Sequence, residues 1–291
     1  MRSNPLALAA CVVALHIWNA AAPPRRPALE GAGMSPTAAR AALDRSREAL
    51  RAGRLDEAFA VTEQLQAAFP SSHVYLAQLA SIAHEQGRPE AEAQYWERFL
   101  EVAPVRVEAC PAIGQAYDRA GRRSEALGAY ERCLSFDPDH PDSLFFLGRA
   151  LERMGRFEEA RVRYERGTTL APDYPDLQIG LARAELRLGN IQEAVRRAEA
   201  AVSRWPDNSD ALLAAGLSCR SAGRSKEARR FLERGQDRAP GDCDFPLVLG
   251  GIDETEGRGA EALRDYERAL ACDPQDDAAR GKVARLKGRR D

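Results

Sequence analysis

The stretch that decides the fold is residues 141–174, PDSLFFLGRALERMGRFEEARVRYERGTTLAPDY. Apolar residues recur in it at three- and four-residue spacing on both sides of Gly155, which is the pattern of two amphipathic helices. Gly155 supplies a left-handed residue that ends the first helix. Pro172 ends the second, because proline has no backbone N–H and disfavours helix in the residue before it. A hairpin this short cannot bury its apolar faces alone, so the stretch predicts a helical hairpin that stacks on similar neighbours.

The neighbours are present in the sequence, because the glycine and the proline both recur every 34 residues. The glycines are Gly53, Gly87, Gly121, Gly155, Gly189, Gly223 and Gly257, and the prolines are Pro70, Pro104, Pro138, Pro172, Pro206, Pro240 and Pro274. Alanine follows the glycine after five residues in every copy except one, where Glu92 stands. The spacing predicts seven repeats within residues 35–276, followed by a capping helix over 277–291. The repeats are 39–72, 73–106, 107–140, 141–174, 175–208, 209–242 and 243–276.

This pattern resembles the tetratricopeptide repeat family, whose unit carries Leu-Gly in its first helix, a glycine turn, alanine and an aromatic residue in its second helix, and a closing proline. In the central copy these are Leu147-Gly148, Gly155, Ala160, Tyr164 and Pro172. The resemblance implies an all-α, right-handed superhelical solenoid with a concave binding face. It also implies a scaffold for protein–protein interaction, and it does not name the partner.

By the geometry of that family, the residues at positions 2, 5, 9, 12 and 13 of each first helix face the concave side. The resemblance then implies an apolar track of Phe145, Ile179, Leu213 and Leu247, beside arginines Arg149, Arg153, Arg183, Arg187 and Arg220. Such a groove suits an extended or helical peptide with apolar anchors and acidic residues, since arginine pairs with carboxylates in a bidentate manner. The alternative is a solvated face whose arginines pair with Glu152 and neighbouring acids. Acids at position 2 of the first helices, from Glu108 to Asp244, complement the helix dipole.

The composition and motifs of the chain argue against catalysis and nucleic-acid binding. The formal net charge is −2, so no global field attracts nucleic acid. No HExxH, GxxxxGK[ST], GxGxxG or GxSxG motif occurs, and none of the four histidines has metal-ligand spacing to a cysteine or carboxylate. We therefore expect no metal, no cofactor, no small-molecule substrate and no enzyme activity. Two alternatives remain: a non-catalytic assembly subunit of a bacterial envelope complex that uses its convex face and edges, and an enzyme with an unrecognised site.

The N-terminal segment has the layout of an export signal. Residues 1–22 place Arg2 before an apolar run and then small residues, which indicates a signal peptide or an N-terminal membrane anchor. Residues 23–34 are rich in proline and glycine and predict a linker. We expect an exported or membrane-anchored protein of the periplasm or cell envelope. A translation start at Met34 would instead leave the protein cytoplasmic.

Two pairs of cysteines lie opposite each other across predicted hairpins. Cys110 faces Cys133, and Cys243 faces Cys272, so both pairs are candidates for disulfides in an oxidising compartment. Cys219 faces an alanine and is expected to remain a buried thiol. The alternative is that all five are small core hydrophobes.

Overall fold

The computed structural model describes residues 34–104 and 109–288, and all of the regular structure in these ranges is α-helical. The predicted signal segment and most of the predicted linker lie outside the described residues. The described ranges contain fifteen helices: α1 (Pro36–Arg51), α2 (Leu55–Ala68), α3 (His73–Glu85), α4 (Pro89–Val102), α5 (Cys110–Arg119), α6 (Arg123–Phe136), α7 (Pro141–Arg153), α8 (Phe157–Leu170), α9 (Pro175–Arg187), α10 (Ile191–Arg204), α11 (Ser209–Ser221), α12 (Ser225–Arg238), α13 (Asp244–Thr255), α14 (Gly259–Cys272) and α15 (Asp277–Lys287).

The chain divides into two compact units at Pro138. The first unit contains three hairpins, α1–α2, α3–α4 and α5–α6, and consecutive helices pack against each other. The second unit contains four hairpins, α7–α8 to α13–α14, followed by α15. Each unit is a stack of antiparallel helix pairs, as the 34-residue period predicts. Among the described residues, none of the helices combines the length and apolar character that crossing a bilayer requires.

Each hairpin turns at the glycine that the repeat predicts. Gly155 has a φ of +76°, a region that residues with a side chain rarely adopt. Its N–H donates to the carbonyl of Glu152 at 2.9 Å, and the N–H of Arg156 donates to that of Leu151 at 2.9 Å. These bonds satisfy carbonyls at the end of α7, which lack helical partners. The other six turn glycines also have positive φ, so the periodic glycine fixes where every hairpin reverses.

The Leu-Gly of the first helix and the aromatic residue of the second meet in the core. Tyr164 of α8 is fully buried, and its ring lies between the backbones of α7 and α9. A Cβ added at Gly148 would lie 2.6 Å from the ring, and one added at Gly180 would lie 2.7 Å from it. Both glycines are therefore required by close packing, and the ring joins one hairpin to the next. In the first unit Tyr130 packs in the same way against Gly114 of its own hairpin.

Glu92, which replaces the repeated alanine, is a buried carboxylate of the first unit. It is only 4% exposed. Its Oε2 accepts a hydrogen bond from Arg119 at 2.5 Å and lies 3.1 Å from Nδ1 of His84. A buried charge is tolerated when it is paired and hydrogen-bonded, so this contact ties α3, α4 and α5 together where the other repeats use a small residue.

The helix α15 covers the end of the last hairpin. Val283 and Leu286 are buried in a cluster with Leu263 and Tyr266 of α14. Asp276 caps the helix, because its side chain accepts hydrogen bonds from the backbone N–H groups at 278 and 279, at 2.8 and 3.0 Å. The exposed side of α15 is polar and basic, which fits a capping helix.

Candidate interaction surface of the second unit

The predicted arginines lie on the first helices of the second unit: Arg149 and Arg153 on α7, Arg183 and Arg187 on α9, and Arg220 on α11. We call the charged residues of these helices the first-helix surface and define it by Asp142 and Arg149 of α7, Asp176, Arg183 and Arg187 of α9, and Asp210 and Arg220 of α11. Glu152 of α7 accepts a hydrogen bond from Arg183 of α9, which shows that side chains of neighbouring first helices meet there.

Arg149 is held over aromatic rings. Its guanidinium lies 5.5 Å from the ring centre of Phe145 and 4.9 Å from that of Phe146. The Nε atom is buried and has no hydrogen-bond partner. No ion pair joins Arg149 to a carboxylate within the described ranges. The stacking fixes the plane of the guanidinium and leaves hydrogen-bond donors for a ligand.

Arg183 is engaged within the fold. Its NH2 donates to Oε2 of Glu152 at 2.9 Å, and the hydroxyl of Tyr164 donates to the same oxygen at 2.6 Å. Burial, followed by the charge of Glu152, raises the pKa of Tyr164 well above its ordinary value, so the phenol remains a donor. For Arg183 the structure shows the pairing with Glu152 that the sequence left as the alternative.

The remaining arginines differ in what they contact. Arg187 lies 4.4 Å from the ring centre of Phe157, and the exposed Arg153 ends α7. Arg220 extends across α13, where a Cβ added at Gly251 would come within 3.3 Å of its NH1. The side chain of Arg220 thus reaches the next first helix, α13, at a glycine, where any larger residue would crowd the guanidinium.

The predicted apolar track is not an open surface along its whole length. Phe145 is 9% exposed and Ile179 is 2% exposed, so these two residues offer little area to a partner. Phe145 packs near the rings of Tyr164 and Tyr174, and Ile179 belongs to a core cluster of α9 to α11. Leu213 and Leu247 are half-buried against neighbouring core clusters. The prediction of a continuous apolar track is wrong, because packing within its own repeat covers Phe145 and packing against the next hairpin covers Ile179.

Carboxylates lie at the starts of the same first helices. Burial, with a contribution from Asp210, raises the pKa of Asp176, and Arg183 and Arg149 only partly oppose this. Asp142 accepts a hydrogen bond from the hydroxyl of Tyr174 at 2.7 Å. The negative charge of Asp210 raises the pKa of Asp176, so these acids repel each other in addition to complementing helix dipoles. The predicted acid Glu108 lies outside the described residues.

The cysteines divide into one bridge and three buried residues. Cys243 and Cys272 form a disulfide, with Cα atoms 5.6 Å apart. The predicted bridge between Cys110 and Cys133 is not formed, and both of these cysteines are buried. Cys133 instead directs its Sγ to the carbonyl of Ala129 at 3.1 Å. Cys219 is a buried thiol whose pKa is raised by burial.

Within residues 34–104 and 109–288, no group of three or more His, Cys, Asp or Glu residues could hold a metal ion.

Sequence reasoning missed the aromatic partners of this surface. Phe146, Phe157 and Tyr174 are not at the concave positions of the family, yet their rings or hydroxyls hold Arg149, Arg187 and Asp142. An aromatic residue three before an arginine on one helix, as in Phe146 and Arg149, is the only local signal that could have suggested such stacking.

Comparison with known proteins agrees with this architecture. A family model described as Tetratricopeptide repeat matches residues 43–106, 112–175 and 179–242. A tetratricopeptide repeat protein from Parabacteroides merdae superposes with a TM-score of 0.73 at 15% identity, over 86% of this chain and 98% of that one. A thermophilic TPR protein of Thermus thermophilus gives a TM-score of 0.57 at 22% identity, over 62% and 98%. No curated protein matches significantly. The matched repeats cover more than half of the sequence, and the chain belongs to the tetratricopeptide repeat family.

Proposed function

We propose that this protein is a non-catalytic scaffold that binds a peptide or helical segment of another protein at the first-helix surface, with acidic residues of the segment bound by Arg149 and Arg187. The observation that carries the proposal is the state of Arg149. Its guanidinium is fixed over two phenylalanine rings, one nitrogen is buried without a partner, and no carboxylate of the described residues pairs with it. Arg187 is an exposed residue whose guanidinium is stacked on one ring, that of Phe157.

The physical reason lies in preorganisation. A free arginine loses side-chain entropy when it binds a carboxylate, whereas a stacked guanidinium has lost much of it in the folded protein. A bond between arginine and carboxylate also strengthens when water is displaced from one side. Arginines of the second helices are often satisfied by acids of their own helix, as Arg161 of α8 is by Glu158 at 2.5 Å. The arginines over aromatic rings are therefore the better partners for a ligand carboxylate.

The carboxylates at the starts of the first helices restrict the charge that a ligand can carry. Asp142, Asp176 and Asp210 would repel a segment that is acidic along its whole length. We expect ligand carboxylates to be confined to the side that meets Arg149 and Arg187. Leu213 and Leu247, which are half-buried, leave room for a small apolar anchor but not for a continuous apolar ridge.

A randomised peptide library displayed on phage tests the proposal. The first variant is Arg149→Glu with Arg187→Glu. The control is Arg230→Glu with Arg264→Glu, which changes the net charge equally at exposed positions of the second helices α12 and α14. We expect the wild type and the control to enrich the same acidic peptides. Loss of one charged hydrogen bond costs roughly 1.5–3 kcal/mol, so the first variant should bind them at least about tenfold more weakly. Equal binding by both variants, with unchanged circular dichroism, would contradict the proposal.

We also propose that the protein acts in an oxidising compartment, as an exported or anchored component of the cell envelope. Two features support this: the layout of residues 1–22 and the Cys243–Cys272 disulfide, since such bridges are rare in reducing cytosol. Fractionation of cells followed by thiol alkylation checks it. Protein found in the cytoplasmic fraction with both cysteines alkylated would rule it out.

A further inference from the structure

The disulfide lies at one particular place in the array. Cys243 immediately precedes α13, and Cys272 is the last residue of α14, so the bridge closes the open end of the last hairpin. The other end of this hairpin is closed by the turn at Gly257. The equivalent residues of the preceding hairpin are Ser209 and Arg238, which cannot form such a bond. The last hairpin of the second unit is therefore the one that is tied covalently.

The bridge is open to a reagent, whereas the other described cysteines are not. Cys272 is exposed and Cys243 is half-exposed. Cys110, Cys133 and Cys219 are each at most 2% exposed. A small dithiol can therefore reach the disulfide in the folded protein, and reduction would be confined to this site. Exposed disulfides are more often the labile or regulatory ones than buried disulfides are.

Charges at the open end oppose its closure. Asp244 begins α13, and the carboxylates of Asp242, Asp276 and Asp210 add to burial in raising its pKa. Asp242 and Asp276 belong to the segments on either side of the bridge, and Asp276 also caps α15. The disulfide thus joins two segments whose like charges repel each other.

The core of the hairpin does not depend on the bridge. Phe245, Ile252 and Ala262 are fully buried, and Arg258 binds Asp253 near the turn, at 2.6 Å. Reduction should therefore leave the hairpin folded near its turn and loosen it at its open end. α15 begins next to that end, and Leu247 of α13 packs against the cluster that α15 covers. Loosening would accordingly reach both the cap and one end of the proposed binding surface.

We propose that the Cys243–Cys272 disulfide is a redox-operated clamp, which keeps the acidic open end of the last hairpin closed when oxidised and releases that end and α15 when reduced. In the reduction step, a thiolate of a dithiol reductant attacks the sulfur of the exposed residue Cys272, and the S–S bond breaks. The second thiol of the reductant then resolves the mixed disulfide. Two electrons and two protons pass to the protein as two cysteine thiols, and the reductant becomes a disulfide.

Hydrogen exchange of the full chain, with and without dithiothreitol, tests the clamp without any ligand. We expect reduction to accelerate exchange at least about tenfold in residues 268–287, and to leave residues 191–204 of α10 unchanged. Reoxidation should restore protection. Unchanged exchange after complete reduction, verified by alkylation and mass spectrometry, would overturn the clamp, and so would an equal acceleration in α10.

Two variants serve as controls. Cys243→Ser with Cys272→Ser should exchange like the reduced wild type and should not respond to dithiothreitol. Cys219→Ser should respond as the wild type does, because its thiol takes no part in the bridge. A response that persists in the double variant would overturn the assignment to this disulfide. If the double variant does not fold, reversible reduction of the wild type still decides the question.

Discussion

The contact between Tyr164 and Gly180 makes the clearest prediction about stability. A Cβ added at Gly180 would lie 2.7 Å from Cε1 and Cζ of the buried ring, and the ring cannot retreat because Gly148 holds its other face. Overpacking of a core costs about 1–3 kcal/mol, and here we expect the upper end. Alanine regains about 1 kcal/mol of helix propensity relative to glycine. We expect Gly180→Ala to lower the free energy of unfolding by about 2 kcal/mol.

Urea unfolding followed by circular dichroism measures this change, with Gly281→Ala of α15 as the matched control. No atom lies within 4 Å of a Cβ added at Gly281, so this variant should gain about 1 kcal/mol. The variant Tyr164→Leu supplies a rescue, since leucine is narrower than the ring and Leu232 stands at the equivalent place in the repeat of α11 and α12. Combined with Gly180→Ala, it should show a coupling of at least about 1 kcal/mol. Equal stability of Gly180→Ala and Gly281→Ala would refute the packing argument.

Further predictions concern single side chains. Glu92→Gln removes the charge from a buried carboxylate that binds an arginine, and should cost roughly 1–3 kcal/mol in thermal or urea unfolding. Asp176→Asn should stabilise the protein at neutral pH: burial and a neighbouring carboxylate raise the pKa of Asp176 in the folded state, so its ionised form is disfavoured there. This gain should disappear below about pH 4, as urea unfolding at several pH values would show. Cys243→Ser with Cys272→Ser should lower the free energy of unfolding by up to about 3–4 kcal/mol, the loop-closure estimate for this separation. Truncation after Pro274 should expose the apolar face of α14, and unchanged solubility would contradict the capping role.

The helical hairpins were predictable because their signals are local. The backbone at the end of α7 is left-handed, and Gly155 is the residue type that adopts this conformation readily. Gly148 and Tyr164 are 16 residues apart, which brings them together within one hairpin. Contacts between repeats were harder to predict. Ile179 is buried in a cluster with residues of the next hairpin, and periodicity within one helix cannot report that burial.

The same distinction explains the arginines and the cysteines. Arg183 follows Glu152 by 31 residues, and only the stacking of α9 on α7 brings them into contact. Both cysteine pairs lie opposite each other in the hairpin register. The bridge forms between Cys243 and Cys272, which are at least partly exposed, whereas the buried candidate pair Cys110 and Cys133 remains unbridged. Helix axes typically pack about 8–10 Å apart, which leaves little scope for a disulfide except where the chains converge.

The most direct test of the proposed binding surface is a double-mutant cycle between the protein and a selected peptide. Arg149→Gln is combined with replacement of each peptide carboxylate by its amide, and the affinities are measured by isothermal titration calorimetry. We predict a coupling of roughly 1–3 kcal/mol with one carboxylate, because the two changes remove the same charged hydrogen bonds. Additive effects at every peptide carboxylate, with Arg187→Gln equally additive, would show that the ligand binds elsewhere.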